Sequence, residues 1–542
     1  MTYPEDQNIQ PWWRGDPDTL KTGPDAYRAA VSRTHAPLFA IDRHGKPWVT
    51  HIGAIQWKSA PEADADDLPL LGFAPPLEAH QLGDAGFKKD LGLKYAYLVG
   101  AMANGITSVE MLSAAGQAGM VGFFGAGGLS IGQIAAALDR LEASTGKFPY
   151  GFNLIHSPND MRLEMETAQL YLDRGIHLIS ASAYLGLTLP LIYYRVKGIH
   201  RTESGHIICP NRVIAKISRV EVAAKFFSPP PQSLLAELVQ QGKLTRDEAT
   251  LAEQVPVAQD ITAEADSGGH TDNRPALSLL PTILSLRDEA MRRHAYREPL
   301  RVGLAGGIAT PHAVAAAFSM GAAYILTGSI NQAAVEADTS DTVRQMLVEA
   351  QQADVIMAPA ADMFELGVKV QVLKRGTMFA MRAAKLYDVY QAYSRFADIP
   401  EAVRTMIERD YLKAPYAAAW QTTRAYFESR DPGQIERAEK DAKHQMALVF
   451  RSYLGQSSLW AKAGVEERKI DFQIWCGPSM GAFNAWVNGT FLEPAKQRKT
   501  AVMGLQLLNG ATKLIRFQRL VEQGVMFPPS ALDIKPSITE AA

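Results

Sequence analysis

The chain has almost no cysteine: Cys209 and Cys476 are the only two in 542 residues. That excludes a disulfide framework as the source of stability and makes a reducing compartment, the cytoplasm, the expected location. Long apolar runs are missing as well. No stretch reaches the roughly 18 residues of a membrane span, so no membrane association is expected. Met1–Arg14 carries acids and two tryptophans instead of the basic start and apolar core of a signal peptide. An excess of charge is absent too: 55 Lys and Arg face 57 Asp and Glu, for a net charge of -2. With no long basic run, no nucleic acid is expected as partner. Metal ligands are sparse. His206 and Cys209 lie close in sequence, but zinc usually needs three or four ligands, so no metal is expected. There is no P-loop.

What is present is an alternation of short apolar runs with helical stretches. Eight strands are predicted: Tyr95–Gly100, Met120–Gly125, Tyr150–Ile155, His177–Ser182, Val213–Ser218, Asp260–Ala265, Arg301–Gly306 and Tyr324–Ser329. Most are continuously apolar, as parallel strands buried on both faces are. Helix signals fill most of the gaps; Ile131, Ile134, Leu138 and Leu141 share one face, and Ser157 to Arg174 runs from Ser-Pro to the residue before Gly175. Eight such units predict an α/β fold of the (β/α)8 TIM barrel type.

The last two predicted strands end in Gly306-Gly307 and Gly328-Ser329. Between them Thr310 is placed to cap a helix, Pro311 to start it and Gly321 to close it. Loops after strands 7 and 8 of such barrels commonly hold a phosphate: glycine lets the backbone approach, and a helix N-terminus favours the anion. A phosphorylated cofactor or substrate is therefore expected.

Polar groups cluster at other strand ends. Ser267-Gly268-Gly269-His270 follows strand six, on the face where barrels keep their active sites. The two glycines would let backbone approach a flat ligand, and His270 could donate a proton near neutral pH. A loop histidine without function is the plain alternative. Asn153 lies within strand three and Lys216 within strand five. A lysine inside an apolar strand needs an anionic or electron-rich partner; an ion pair with Glu264 would also satisfy it. Ala101 and Met102 follow strand one and could lie flat against an aromatic ring, or be ordinary barrel packing. Gly125-Ala126-Gly127-Gly128 mimics part of a dinucleotide fingerprint, but the acidic residue expected about 20 residues on does not end a next strand.

Around the predicted barrel, 92–390, the chain divides further. Residues 1–91, rich in Pro, Asp and Trp with an acidic loop at Glu62–Asp67, are expected as an N-terminal extension with some strands. Ser228-Pro229-Pro230-Pro231 opens an insertion at about 228–256, with helices at Leu234–Gln241 and Thr245–Gln254; it could be a lid, a docking surface or a surface hairpin. From about Asp341 the chain reads as mostly helical, including Pro400–Arg409, Ile435–Phe450 and Thr500–Glu522, and 391–542 is expected as a helical C-terminal domain.

Taken in order, Gly100–Ala103, Gly151–Leu154, Ser267–His270, Ala305–Ile308 and Thr327–Ser329 resemble the FMN-dependent barrels of the nitronate monooxygenase and enoyl-reductase superfamily. The length, the insertion after Phe226-Phe227-Ser228-Pro229 and the run Pro478-Ser479-Met480-Gly481-Ala482-Phe483-Asn484 resemble its trans-acting enoyl reductases of polyunsaturated-fatty-acid and polyketide synthases. The resemblance implies bound FMN, NADPH as electron donor, and reduction of 2-enoyl thioesters on acyl carrier protein domains. Hydride would reach the β-carbon and a proton the α-carbon, with His270 as acid or oxyanion donor. Gly306, Gly307, Gly328 and Ser329 would hold the FMN phosphate; Ala101, Met102, Asn153, Lys216, Gly268 and Gly269 would line the ring site. Carrier docking would fall to basic residues such as Arg292, Arg293 and Arg297, or Lys369, Lys374 and Arg375. Here Asp266-Ser267 precedes the glycines, where the family usually has Glu-Ala or Glu-Ser. A nitronate monooxygenase-type oxidase and a non-catalytic barrel subunit of the synthase are the alternatives. A helical C-terminal half of this size is of a kind that often pairs in homodimers.

Overall fold

A computed structural model describes residues 9–59, 64, 66–144, 147–157 and 161–538. Part of the predicted acidic loop (Glu62, Ala63 and Ala65), the first eight residues and Pro158, Asn159 and Asp160 in the first turn predicted for the Ser157–Arg174 helix lie outside the described residues.

Eight parallel strands close into a barrel: β1 (Tyr97–Val99), β2 (Val121–Phe124), β3 (Tyr150–Ile155), β4 (Leu178–Ser182), β5 (Arg212–Ile217), β6 (Asp260–Glu264), β7 (Arg301–Ala305) and β8 (Ile325–Thr327). The expected (β/α)8 architecture is therefore present, and each strand falls within a residue or two of its predicted span. β8 returns to β1, with Ile325 opposite Tyr97 and Thr327 opposite Val99. The lower interior is apolar, filled by Leu98, Phe123, Leu178, Ile214 and Leu326. Most of the helices between the strands are amphipathic and bury one face on the sheet; α1 (Val109–Gln117) follows β1, and α2 (Pro311–Ser319) follows β7. Thr310 caps α2 through the Ala313 amide and Pro311 opens it, as predicted.

The opposite, N-terminal end of the barrel is tied by charge. Arg301, 5% exposed, meets Asp90 at 2.8 Å, Asp84 at 3.1 Å and Asp260 at 3.4 Å. Burial pushes the Asp260 carboxyl up to about 6 despite Arg301 and Arg212 beside it. Removing one partner of such a buried set strands the others, which typically costs about 3–5 kcal/mol. Arg301→Ala is thus expected to lower the chemical-unfolding midpoint markedly; an unchanged midpoint would mean the cluster contributes nothing.

The insertion after β5 forms two helices, Gln232–Gln240 and Arg246–Ala252, the second with the predicted Thr245–Glu248 capping box. Leu235 and Leu238 are buried in the barrel's outer core. Glu248 accepts the amide of Gly198, in the connection that leads into the start of β5, so the hairpin sits at the end away from the strand C-termini.

The region after Asp341 is mostly helical, as expected, but it also holds a hairpin. β9 (Val355–Pro359) and β10 (Lys369–Leu373) pair antiparallel, and β10 continues onto the two-residue strand Gly269–His270. Alternating β-branched residues on a half-buried surface favour strand over helix there. The helices that follow include α3 (Ala442–Ala463). The last helix, α4 (Thr500–Glu522), was expected with a C-terminal domain, yet it packs on α2 and α1. Met503, Leu507, Leu508 and Ala511 join the barrel's own core, so α4 occupies the place of the barrel's eighth helix. The segment between β8 and α4 is thus a long insertion at the catalytic rim. The far end of α4 supports the N-terminal extension: buried Arg516 donates to the carbonyls of Arg33 and Ala36. That extension is a five-stranded antiparallel sheet, in the order Lys46–Thr50, Leu38–Arg43, Asp67–Ala74, Ile9–Arg14, Ala54–Ser59.

Candidate active site

The C-terminal ends of β1 to β8 form a rim whose loops interlock. After β1, the Met102 amide donates to Thr107 Oγ1 at 2.8 Å and the Asn104 amide to the Gly127 carbonyl. A side chain at Gly125 would strike the Met102 carbonyl, so the loops after β1 and β2 require that glycine. Ala101 and Met102 are left partly exposed above the barrel interior.

Below them the floor is polar. Asn153 is buried and donates from Nδ2 to the Ser180 carbonyl at 2.9 Å and to Ser182 Oγ at 3.1 Å. The Ser180 hydroxyl, fully buried on the same side of the neighbouring strand, has no partner among the described residues. A buried hydroxyl without a partner is costly and marks a place for a polar ligand atom. Lys216 Nζ lies 2.8 Å from Glu264 Oε1, so the ion-pair alternative is realised. An ammonium carries three donors and this contact takes one.

The turns after β7 and β8 complete the rim. Gly306 and Gly307 have φ of 84° and 75°, a left-handed conformation in which glycine is at no disadvantage. A Cβ on Gly306 would collide with the Ala265 carbonyl carbon at 2.5 Å, whereas one on Gly307 or Gly328 would point into open space. Among the described residues, no protein acceptor takes the amides of Gly306, Gly307, Ile308, Gly328 or Ser329. Five unclaimed amides at two adjacent strand ends, beside the start of α2, form an anion cradle. These residues fit the phosphate of a flavin nucleotide, and the polar floor fits its ring heteroatoms. The Ser329 hydroxyl accepts the Gly477 amide at 3.0 Å and keeps its own proton to donate.

Gly268 calls for a correction. Its missing side chain was expected to admit a flat ligand. Instead it admits protein: a Cβ there would lie 2.9 Å from the amide nitrogens of Cys476 and Gly477. The run Ile474–Gly477 passes over this loop, bonded to Leu373 and Gln371 of β10. Gly269, with φ of 81°, turns the chain so that His270 can pair with β10. The unusual flanks are structural too. Asp266 accepts from Gln371 and Asn273, each at 2.8 Å, and Asp272 binds Arg219 and Ser218, which hold its carboxyl at about 2. Gly268→Ala is expected to cost about 1–3 kcal/mol of stability by overpacking and to lower reactivity at His270; a variant as stable and active as the parent would show that the approach is not tight.

His270 stands at the rim, partly exposed, with Nε2 3.1 Å from Asp362 Oδ1. Burial acts to lower its pKa. The hydrogen bond and charge of Asp362, with Glu264 further off, outweigh this and hold it above the ordinary histidine value. Asp362 was not found in the sequence because the region carrying it read as helical.

The structure thus brings Ala101, Met102, Asn153, Lys216, His270, Gly306, Gly307, Gly328 and Ser329 to one face of the barrel. Among the described residues there is no group of three or more His, Cys, Asp or Glu placed to hold a metal, and no helix long and apolar enough to cross a membrane.

Comparison with known proteins agrees with the barrel fold. Residues 87–393 match the nitronate monooxygenase family, and residues 393–472 match a family described as the inserted helical domain of [acyl-carrier-protein] S-malonyltransferase. The polyketide biosynthesis protein PksE of Bacillus subtilis is 45% identical over 81% of this chain and 57% of its own length. One of the polyunsaturated fatty acid synthase subunits of a Thraustochytrium species is 44% identical over 82% of the chain and 30% of its own length. The chain therefore spans 57% and 30% of the length of these two relatives. The crystal structure of the enoyl reductase domain of MlnA, from the macrolactin cluster of Bacillus amyloliquefaciens, is 43% identical, covers 82% of this chain and 99% of that one, and superposes with a TM-score of 0.78. The chain belongs to the nitronate monooxygenase family of flavin-dependent oxidoreductases, in the branch that includes that enoyl reductase domain.

Proposed function

We propose that the chain is an FMN- and NADPH-dependent enoyl reductase acting in trans on 2-enoyl thioesters held by acyl carrier protein domains of a polyunsaturated fatty acid or polyketide synthase. The observation that carries this is the pairing of an unclaimed amide cradle after β7 and β8 with an acid-backed imidazole on the same rim. Bound FMN supplies hydride to the β-carbon of the enoyl group. The protein's part is placement and charge. Gly306, Gly307, Gly328 and Ser329 would hold the phosphate through backbone amides. Met102 would pack on one side of the ring, with Asn153, Ser180 and Lys216 supplying polar contacts. The ammonium of Lys216, neutralised by Glu264 in this structure, sits where negative charge would gather. His270 would stabilise the enolate oxygen or give the α-carbon its proton as charge develops.

The two basic clusters considered for carrier docking lie at opposite ends of the barrel. Arg292 and Arg293 close the helix that precedes β7, and Arg297 follows it, at the end away from the site. Lys369 is exposed on β10, next to Val370, which pairs with His270. Lys369 and its neighbours are therefore the favoured docking group for a carrier's acidic helix.

The test is direct. Purified protein should show a flavin spectrum that NADPH bleaches and a short 2-enoyl pantetheine thioester restores. Turnover of a nitronate with oxygen and without NADPH would overturn the reading in favour of an oxidase. Protein that stays colourless after FMN is added would leave a non-catalytic docking role.

A further inference from the structure

The histidine at the rim is not held by the barrel alone. Its strand, Gly269–His270, is the edge of a three-stranded sheet whose other members, β9 and β10, belong to the insertion after β8. The turn between β9 and β10 carries Asp362. That turn is gripped from behind by α3: Arg451 donates from Nε to the Ala361 carbonyl at 2.9 Å and from Nη1 to Glu365 at 3.2 Å, with Nη2 3.5 Å from the Asp362 carbonyl. The Asp362 carboxylate is oriented further by its neighbour, since the Met363 amide donates to Oδ1 at 3.1 Å. The same oxygen meets His270 Nε2. One turn of α3 thus fixes a carboxylate, and the carboxylate fixes the imidazole.

We propose that Asp362 is a positioning residue for His270: it takes the Nε2 proton in a hydrogen bond and leaves Nδ1 as the atom that faces the substrate. This deepens the proposed enoyl reduction and rests on it for the identity of the substrate. A carboxylate on one ring nitrogen sets the tautomer and the ring's orientation and favours the imidazolium. The imidazolium then carries a proton on Nδ1. When hydride arrives at the β-carbon, the enolate's α-carbon takes that Nδ1 proton, and the ring remains as the neutral Nε2–H tautomer until water reprotonates Nδ1. The charges that bear on His270 are Asp362 from the β9–β10 turn, Glu264 from the end of β6, and Lys216 from β5, which opposes the two acids. Because Glu264 is already paired with Lys216, Asp362 is the decisive one.

The test compares the parent with Asp362→Asn, which keeps size and can still accept from Nε2 but removes the charge. Nitrogen-15 NMR of histidine-labelled protein, with His270 assigned by its loss in His270→Asn, reads tautomer and titration without any substrate. The expected parent signal is the Nε2–H tautomer at high pH. In Asp362→Asn the titration midpoint should fall by about one pH unit, a tenfold weaker proton affinity. The rate of enoyl reduction should lose its protonated histidine at correspondingly lower pH, so the falling alkaline limb moves to lower pH while KM changes little. Arg451→Met, which releases the turn and leaves the carboxylate, should shift the midpoint in the same direction by less. An Nδ1–H tautomer in the parent, or an unchanged midpoint in Asp362→Asn, would overturn the proposal. A shifted midpoint in a protein that reduces no enoyl thioester would leave the Asp362–His270 pairing standing and remove the substrate assignment.

Discussion

Gly328→Asp is expected to abolish flavin binding and leave the fold intact. Most glycine substitutions at tight turns fail by strain, which would confuse loss of ligand with loss of structure. Gly328 has room for a side chain: a Cβ built there meets no heavy atom of the described residues within 4 Å, and the strain any side chain adds at φ -126° and ψ -80° is shared by the matched Gly328→Ala control. An aspartate side chain would therefore extend into the space flanked by the amides after β7 and β8. Its charge would face a phosphate dianion at close range. At about 5 Å and an effective dielectric of about 20, one such charge pair costs about 3 kcal/mol, or on the order of 100-fold in dissociation constant. Flavin content of the purified variant and FMN titration of its apoprotein measure the loss; circular dichroism and thermal midpoint check the fold. Gly328→Ala is the matched control and should bind flavin nearly as the parent does. A Gly328→Asp protein that purifies fully yellow would show that the phosphate lies elsewhere.

The backbone of the turn and helix after β7 is also where sequence and structure agree best, and the reason is local. Glycine pairs at the ends of two consecutive apolar runs, with Thr310-Pro311 opening a helix between them, specify backbone conformation within about 25 residues. No distant partner is needed to decode them. The eight barrel strands were legible for a similar reason: buried parallel strands are apolar on both faces, so each appears as an unbroken run. Boundaries moved by only one or two residues, as at Tyr95–Gly100 against Tyr97–Val99.

What stayed hidden depends on partners far away in the chain. Gly268 read as ligand-facing because nothing near it in sequence reveals that Cys476 and Gly477, more than 200 residues on, press against its backbone. Thr500–Glu522 was recognised as a helix, but not as the barrel's last one, since the insertion separates it from β8 by well over a hundred residues. Asp362 was missed for a different reason. Val368-Lys369-Val370-Gln371-Val372 alternates with period two, the pattern of a half-buried strand, yet the helical stretches around it dominated the reading. Weighing that short alternation separately would have placed a hairpin there, with a carboxylate at its turn. The pairing of that hairpin with Gly269–His270 has no signature in either segment alone.

His270→Ala should give the largest change in chemistry: bound flavin retained and enoyl reduction reduced by about 10²–10⁴-fold, the usual contribution of a positioned acid or base. The separation follows from geometry. His270 stands on the short strand paired with β10, whereas the cradle is built from backbone amides after β7 and β8. Removing the ring takes nothing from the cradle. The variant should accordingly be reduced by NADPH at the parent's rate and pass hydride on slowly. Isotopes locate the defect. With NADPH deuterated at the transferred position, product from the parent carries deuterium at the β-carbon; in deuterium oxide with ordinary NADPH, it carries deuterium at the α-carbon, supplied through His270. Because hydride transfer and charge on the thioester oxygen develop together, losing the proton donor slows the transfer itself, so no pool of half-reduced product should accumulate. The partly exposed ring also explains the expected residual rate: water can reach the same carbon, but without the orientation that Asp362 and β10 impose. Full reductase activity in His270→Ala would remove the imidazole from the reaction and leave Lys216 as the charged group on the floor best placed to replace it.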